Sequence, residues 1–500
     1  MNQRDRKAWS WILPLMGGSL CALAVSVLLI LPAKWTIASL LGLTVGVAAV
    51  ICGNSSRFLV VMLALSVPFA AASHTFFKRE EFEGLATAGI AFGVVDCAIV
   101  LLYAIWFCRL MTRKGGRVKL ISVPNILALG FIIISALSLI NSPDKMLSIF
   151  ELVRMLKIYL VFFYLANAIS SEDLGYIVAG LLLGVFVQSG LGIAQYLTNS
   201  SLGLGVLGGA EENMSIIMGG HEDFRVAGTI LHPNQYALYL STLLPLALSL
   251  LLSVQQKAWA RVSAAAVFAL GLLGVLLSFS RTGWVCLALA VLLQLLFILF
   301  TGKMTSRLFL GVSWVACTGA FIVLVFSRQI VDRMFASDPE ATIIRRDLLS
   351  LAWAMIREHP LAGIGLNNFV RLQQNWDPIG LSLIRNVHNL YALIWAETGV
   401  FALLIYVAFL VSLFGMLIHP LRSSNAFLRV MALGIGTGLL GFAVDGLADY
   451  SYRMDVGHTL FWFLAGLILA IHRISRQGQG DTELPQASSS IWRNPAESFS

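Results

Sequence analysis

The feature that most constrains this chain is the recurrence of apolar runs long enough to cross a bilayer. A spanning α-helix needs about 20 mostly apolar residues, and in lipid a chain satisfies its backbone polar groups by forming such helices. Hydrophobic residues make up 58% of the 500 residues and charged residues 12%, whereas soluble domains have about 25% charged residues. The sequence therefore predicts an all-α, polytopic integral membrane protein.

The run lengths predict about 14 transmembrane helices, within a range of about 12 to 14. Those in the first half lie near Trp11–Leu31, Trp35–Cys52, Phe58–Ala72, Leu85–Leu110, Val123–Ile140, Ser148–Ile169 and Leu174–Leu197. Those in the second half lie near Gln235–Leu252, Ala258–Phe279, Thr282–Phe300, Leu308–Phe326, Leu390–Ile418, Leu428–Ala448 and Val456–Ile471.

The distribution of Lys and Arg predicts the orientation, because both residues are enriched in cytoplasmic loops. With the N-terminus inside, the inward loops contain most of the basic residues, including the group from Arg109 to Lys119. The formal net charge of +8 is therefore interpreted as a topology signal rather than a nucleic-acid signal. Both termini are predicted to be cytoplasmic, and the long polar loops 198–234 and 327–389 are predicted to face outward.

The predicted organisation has four parts. Residues 1–187 form N-terminal transmembrane helices, residues 188–413 form a core that includes both long loops, and residues 414–476 form C-terminal transmembrane helices. The segment 477–500 is rich in Gln, Gly, Ser and Pro and lacks apolar periodicity, which predicts a disordered cytoplasmic tail.

The second long loop contains a predicted amphipathic helix. Asp338 is a favourable N-cap, Pro339 suits the first helical position, and the helix is expected to continue to about Glu358. Its apolar face follows helical spacing and comprises Ile344, Leu348, Leu351, Ala352, Met355 and Ile356. We expect this helix to lie along the membrane rather than to span it.

Basic residues also collect in or near the outward loops, where the orientation rule does not explain them. The candidates are Arg154, Arg225, Arg281, Arg345 and Arg346. An arginine at the mouth of a membrane helix is costly unless it meets an anion or water, and its guanidinium group matches phosphate oxygens. These residues predict a site for a phosphate-bearing ligand.

Structural roles are the alternative for each of these arginines. Arg154 has the alternative of an ion pair with Glu151, three residues earlier on the same helix face. Arg281 could instead extend its side chain to the lipid headgroups. Arg345 and Arg346 could instead be solvated residues on the surface of a helix. The sequence leaves both interpretations open.

A histidine lies where the second loop re-enters the membrane. A neutral imidazole such as that of His388 takes a proton from a hydroxyl at neutral pH, although a hydrogen-bonded interfacial histidine is the alternative. Asn389 follows directly, and Glu397 lies about two turns further along, on roughly the same side, so both are candidates to orient a substrate.

Other polar residues are given ordinary roles. Asp445 and Asp449 are expected to pair with Arg453 at the end of a helix. His221, His232 and His359 are interpreted as ordinary loop residues.

Several chemistries lack a sequence signature. There is no GxxxxGK[ST] phosphate loop, no Asp-x-Asp in an outward loop and no His/Cys/carboxylate spacing for zinc. The six cysteines contain no CxxC pair and lie in apolar segments or at their ends. We therefore predict no metal, no cofactor and no disulfide. If the substrate is a phosphate ester, arginines must neutralise it.

The order of several short motifs resembles the O-antigen ligase and polymerase superfamily of bacteria, over about residues 188–413. The motifs are Phe224-Arg225-x-x-Gly228 before Pro233-Asn234, then Ser280-Arg281-Thr282-Gly283, then Arg346 to His359-Pro360-Leu361-x-Gly363-x-Gly365-x-x-x-Phe369, and finally His388-Asn389-x-Tyr391 with Glu397-Thr398-Gly399.

This resemblance implies a glycosyltransferase that uses an undecaprenyl-diphosphate-linked glycan on the periplasmic side of the bacterial inner membrane. Ligases of the superfamily transfer the glycan to a sugar of the lipid A core in lipopolysaccharide biosynthesis. By resemblance, Arg225, Arg281 and Arg346 would hold the diphosphate and His388 would handle the acceptor hydroxyl. We expect a metal-independent, inverting ligase.

Two alternatives stay open. One is a polymerase for O-antigen or exopolysaccharide with the same site, and a protein O-oligosaccharyltransferase is a more distant version of it. The other is a secondary transporter or anion permease. Transporters place polar residues near the bilayer midplane and often in two matching halves, whereas the polar residues of this chain collect at the outer mouth and its halves do not match.

Overall fold

A computed structural model describes residues 55–69, 73–79, 81, 87–111, 121–204, 214–218, 221–230, 232–301, 305–335, 339–376 and 385–480. The chain divides into a unit of residues 1–59 and a unit of residues 60–500. The predicted spans Trp11–Leu31 and Trp35–Cys52 lie outside the described residues. So do residues 481–500, most of the predicted cytoplasmic tail.

The described residues form α-helices and four short strands. The helices are α1 (Ser55–Ser66), α2 (Val94–Met111), α3 (Val123–Leu137), α4 (Lys145–Ala168), α5 (Asp173–Thr198), α6 (Pro233–Leu252), α7 (Ala258–Leu277), α8 (Arg281–Thr301), α9 (Ser306–Val325), α10 (Ser327–Phe335), α11 (Pro339–Glu358), α12 (Phe369–Trp376), α13 (Leu390–Leu421), α14 (Ala426–Asp445) and α15 (Asp455–Gly480). The strands are β1 (Ser73–Phe76), β2 (Ile90–Gly93), β3 (Ser215–Met218) and β4 (His221–Phe224), which pair as two antiparallel hairpins.

Ten of the described helices are long and apolar enough to cross a membrane, which confirms an all-α polytopic membrane protein without confirming a count of 14. The span predicted near Phe58–Ala72 is only a shorter apolar helix, Ser56–Phe69. The span predicted at Ser148–Ile169 corresponds to α4, which is not among the ten. Glu151, Arg154 and Lys157 lie within α4, and their charges reduce its apolar character.

The core of the bundle is built around α6. This 20-residue helix is apolar enough to span, yet all of its residues except Asn234 are buried, and α7, α8 and α14 pack against it. Gly438 on α14 permits the closest approach, since a Cβ there would lie 2.0 Å from the carbonyl oxygen of Thr242 on α6. Small residues at such positions allow the backbones of membrane helices to pack directly together.

The amphipathic helix predicted in the second long loop is α11. Four residues of its predicted apolar face are buried, and they pack with side chains of α13 and of the segment between α11 and α12. Those four are Leu348, Ala352, Met355 and Ile356. The face is thus an internal packing surface of the loop.

A break in α13 holds this loop in place. Gly399 has φ of +85°, and a Cβ there would lie 2.0 Å from the carbonyl oxygen of Leu361. The turn after α11 docks onto the break, where the Ile364 N–H donates to Ala396 and the Val400 N–H donates to Pro360. Only glycine fits this close approach at positive φ, so the break fixes the loop against the bundle.

Candidate active site at one end of the bundle

The N-termini of α6, α8 and α13 and the C-termini of α7 and α14 meet at one end of the bundle. The Val226 N–H donates to Leu277 at the end of α7 (3.3 Å), and the Leu390 N–H donates to Gly446 after α14 (2.8 Å). Exposed carbonyl groups and N–H groups at helix ends give this region its polarity. The sequence-predicted residues Arg225, Arg281 and His388 all lie here.

Two glutamines of α5 hold the segment that contains Arg225. The Gln195 side-chain oxygen accepts from the N–H groups of Ala227 (3.0 Å) and Gly228 (2.8 Å). The Gln188 Oε1 accepts from the Thr229 N–H, and the Gln188 Nε2 donates to the Thr229 hydroxyl. Because these amides are buried, the loop has one well-defined backbone position.

Arg225 is only 7% exposed and is anchored by polar groups of neighbouring elements. Its Nε donates to the carbonyl oxygen of Ser278 at the C-terminus of α7 (3.0 Å), and its Nη2 donates to Oδ1 of Asn234 (2.9 Å). Burial lowers the pKa of Arg225 from its usual 12.5 to about 9; Arg333 and Arg345 lower it further, and Asp449 partly offsets them. The guanidinium group stays charged at neutral pH, in a place where an added anion would stabilise it.

Arg333 is the second buried cation of this region, and the sequence analysis missed it. It lies on α10, is 9% exposed, and donates from Nε to the carbonyl oxygen of Phe279 (2.9 Å). Arg225 and Arg333 therefore contact consecutive carbonyl groups in the break between α7 and α8. Helical spacing sets Arg333 opposite Val331 and Phe335, but that pattern alone does not tell which side of α10 is buried.

Arg281 is the first residue of α8 and is partly buried. Ser280 precedes it and accepts from the Gly283 N–H, as an N-cap does. Among the described residues Arg281 has neither a hydrogen bond nor an ion pair from its side chain. A cation at a helix N-terminus opposes the helix dipole, so this position favours a bound anion.

Arg345 and Arg346 differ in their placement. Arg345 is exposed, yet it lies close enough to Arg225 to lower the pKa of that residue. Arg346 is 76% exposed and its Nε lies 3.4 Å from the carboxylate of Asp347. Of the two, Arg345 lies nearer to the cationic cluster formed by Arg225 and Arg333.

His388 forms a pair with Asp449. Its Nδ1 lies 3.3 Å from Oδ1 of Asp449, and its ring packs edge-on against Tyr450 with centroids 5.2 Å apart. Asn389 caps α13 by accepting from the Ala392 N–H, and its amide nitrogen donates to Leu447, which ties His388 to the turn after α14. A carboxylate that accepts from Nδ1–H leaves Nε2 as the basic nitrogen.

Asp449 connects this histidine to the arginines. Its Oδ2 accepts from Nδ2 of Asn234 (3.0 Å), and Asn234 in turn accepts from Arg225. Burial raises the pKa of Asp449, but the contact with His388 and the hydrogen bond from the Tyr450 N–H outweigh it, and the pKa lies below its usual value. The ionised carboxylate therefore persists at neutral pH.

The expected pairing of Asp445 and Asp449 with Arg453 is wrong, since neither carboxylate forms an ion pair with Arg453 in the described part of the chain. Arg453 contacts Glu151 (3.3 Å) and Glu397 (3.2 Å) instead, while Asp449 contacts His388. The reason is the fold of the turn after α14, which directs neighbouring polar side chains to different helices. His232, interpreted as an ordinary loop residue, caps α6 by accepting from the Gln235 N–H at 3.4 Å.

Arg154 and Glu397 belong to a separate buried network between α4, α13 and α15. Arg154 pairs with Glu151 (2.8 Å) and Asp455 (3.0 Å). Glu397 accepts from the Phe369 N–H and pairs with Arg453. The Arg154–Glu151 pair is the structural alternative that the i, i+3 spacing offered, and the network links α4, α13 and α15 to the loop.

The arrangement defines a class of protein: a multi-pass α-helical membrane protein with a cationic cluster beside a His–Asp pair at one end of the bundle. Residues 265–407 match the family described as Wzy_C, O-antigen ligase. These 143 of the 500 residues are thus similar to the O-antigen ligase family. No curated protein gives a match to the chain. Among the described residues, no group of three His, Cys, Asp or Glu residues is arranged to hold a metal ion.

Proposed function

We propose that this protein is an inner-membrane glycosyltransferase that transfers an undecaprenyl-diphosphate-linked glycan to a sugar hydroxyl of the lipid A core. The observation that carries the proposal is the link from Arg225 through Asn234 and Asp449 to His388. This link supports the proposal because it connects a buried arginine, the candidate phosphate ligand, to a candidate base, in a chain whose residues 265–407 match the O-antigen ligase family.

In this proposal the arginines bind the diphosphate of the donor. Arg225, Arg281 and Arg345 supply the positive charge, and exposed Arg346 contributes at the edge. As the bond between the anomeric carbon and the phosphate oxygen breaks, the leaving diphosphate gains charge, which preorganised guanidinium groups stabilise. Arg154 is left out of the proposal because two carboxylates already surround it.

His388 acts on the acceptor. With the Nδ1 proton directed to Asp449, Nε2 takes the proton of the attacking sugar hydroxyl while the oxygen forms the new glycosidic bond. Displacement in one step inverts the anomeric centre. General-base assistance of this type contributes about 10²- to 10⁴-fold in rate.

The test compares cells that lack the gene with cells that carry the wild type, His388→Ala or Arg281→Ala. Lipopolysaccharide is separated on gels and lipid-linked glycan is extracted in parallel. If the protein is a ligase, the deletion strain and both variants should lack all glycan on the lipid A core, and long polymer should remain on the carrier lipid.

Other outcomes would replace the proposal. A core capped with a single repeat unit would identify a polymerase. An unchanged profile would reject both activities on lipopolysaccharide. Transport of a small anion by the purified protein in vesicles, retained in His388→Ala, would support a permease instead.

A further inference from the structure

The C-terminal part of helix α10 has the reverse of the polarity expected for a helix in water; the exposed Arg328 precedes it in the first turn, on the same side as Val331 and Phe335. Its exposed side chains include Val331, Met334 and Phe335, the last at 83% exposure, whereas Arg333 is buried. A helix at a water-exposed surface would turn its apolar residues inward. The apolar face of α10 therefore requires a nonpolar environment.

The position of α10 identifies that environment as the bilayer. The helix begins at Ser327, two residues after the spanning helix α9 ends, and the Ile330 N–H donates to the carbonyl oxygen of Phe326. The end of α9 also exposes Phe321, Leu324 and Val325, as a lipid-facing helix does. The apolar face of α10 thus continues a lipid-facing surface, in the manner of an interfacial helix.

Arg333 lies on the opposite face of α10, next to Arg225 in the cationic cluster. Its Nε donates to Phe279, next to the Ser278 carbonyl group that anchors Arg225. Arg333 is the neighbouring cation that most lowers the pKa of Arg225. Two buried guanidinium groups this close repel each other, and an anion with two negative groups would relieve the repulsion of both.

We propose that Arg333 is a further contact to the diphosphate of the donor, and that α10 positions it there by lying in the membrane–water interface. The inference rests on the proposed function and adds a residue and an element to it. Because α10 contacts the lipid in which the donor's polyprenyl chain is dissolved, the helix places a cation where the diphosphate emerges from the bilayer.

The first experiment measures the kinetics of purified protein in lipid nanodiscs with a lipid-linked glycan donor. Arg333→Gln is expected to raise the donor KM, and the inhibition constant of undecaprenyl diphosphate, about 10- to 100-fold, the effect of losing one charge-assisted contact. Arg333→Lys should recover part of the loss. The matched control is Arg328→Gln on the same helix, because Arg328 is 80% exposed and is expected to leave both constants unchanged.

A purely structural role for Arg333 would give a different result. Arg333→Gln would then lower the thermal midpoint while the inhibition constant of undecaprenyl diphosphate stayed at the wild-type value, and that result would overturn the inference. Arg225→Gln and His388→Ala are measured in the same assay. If they are inactive and Arg333→Gln binds the inhibitor normally, only the inference fails; if they too are unaffected, the proposed function fails.

The second experiment tests the membrane contact of α10. Single cysteines are placed at Phe335 and at Arg328 in a cysteine-free background and exposed to a charged thiol reagent in nanodiscs. We expect Phe335→Cys to react at least 10-fold more slowly than Arg328→Cys in the bilayer. Equal reaction rates would overturn the interfacial placement.

Discussion

Replacing Asp449 by asparagine tests the central pair of the site with almost no change in shape. The carboxylate accepts on both oxygens: Oδ1 faces His388 Nδ1 and the Tyr450 N–H, and Oδ2 faces Nδ2 of Asn234. An amide has one acceptor oxygen, so its NH₂ group must face one of these donors. The substitution therefore disrupts the network in either amide orientation.

The two orientations have distinct consequences. With the amide oxygen toward Asn234, the NH₂ group faces His388, whose Nδ1 then accepts and whose proton moves to Nε2, where it blocks general-base action. With the oxygen toward His388, two NH₂ groups meet, and the Asn234 amide must turn away from Arg225. We expect kcat to fall about 10²- to 10⁴-fold, the contribution of a general base.

Transfer by the purified variant is measured at saturating donor and acceptor, together with its thermal midpoint. Glu358→Gln serves as the control, since Glu358 is an exposed carboxylate at the end of α11 and should retain wild-type kcat. A variant of Asp449→Asn that is folded and turns over within threefold of wild type would refute the base–carboxylate reasoning.

Three other perturbations have definite expected outcomes. Arg225→Lys cannot keep both contacts of the guanidinium group, so the donor KM should rise about 10-fold or more; an unchanged KM would contradict a role in donor binding. Burial lowers the pKa of His232 to about 4. Between pH 6.5 and pH 4 the unfolded chain therefore binds a proton that the folded chain does not. The free energy of unfolding should decrease as the pH is lowered through this window, by at most about 3 kcal/mol. His232→Asn, which retains an N-cap, should flatten the dependence of the thermal midpoint on pH in that window, and a slope equal to that of wild type would count against it. Gly399→Ala should cost about 1 to 3 kcal/mol in backbone strain, plus the clash with Leu361, seen as a lower thermal midpoint; a wild-type midpoint would show that the break tolerates a side chain.

Much of the fold could be predicted from local sequence, because in a bilayer the length and polarity of a segment decide its structure. The helix Pro339–Glu358 was expected from its cap, its proline and its apolar spacing, and it forms with the predicted face buried. Departures occur where local rules compete. The segment near Ser148 has spanning length, but Glu151, Arg154 and Lys157 place a polar network inside the bundle.

Partners of the charged residues were predicted less well. Arg453 lies four residues after Asp449, a spacing that favours an ion pair on a helix, yet the chain turns between them and the two side chains diverge. Arg333 was not among the candidate cations, because burial of an arginine depends on which elements pack against it. Neither fact is encoded in a window of neighbouring residues.

The sequence by itself determined that this chain is a multi-pass α-helical membrane protein, and it predicted that Arg225, Arg281 and His388 lie at the mouths of helices. Hydropathy and helix capping depend on residues that are close in sequence, so they can be identified from the sequence alone. Only the tertiary structure decided that Arg225, Asn234, Asp449 and His388 form one connected row, since the hydrogen bond between Asn234 and Asp449 joins residues 215 positions apart. Hydrogen bonds over such separations depend on how the helices pack, which no local pattern specifies.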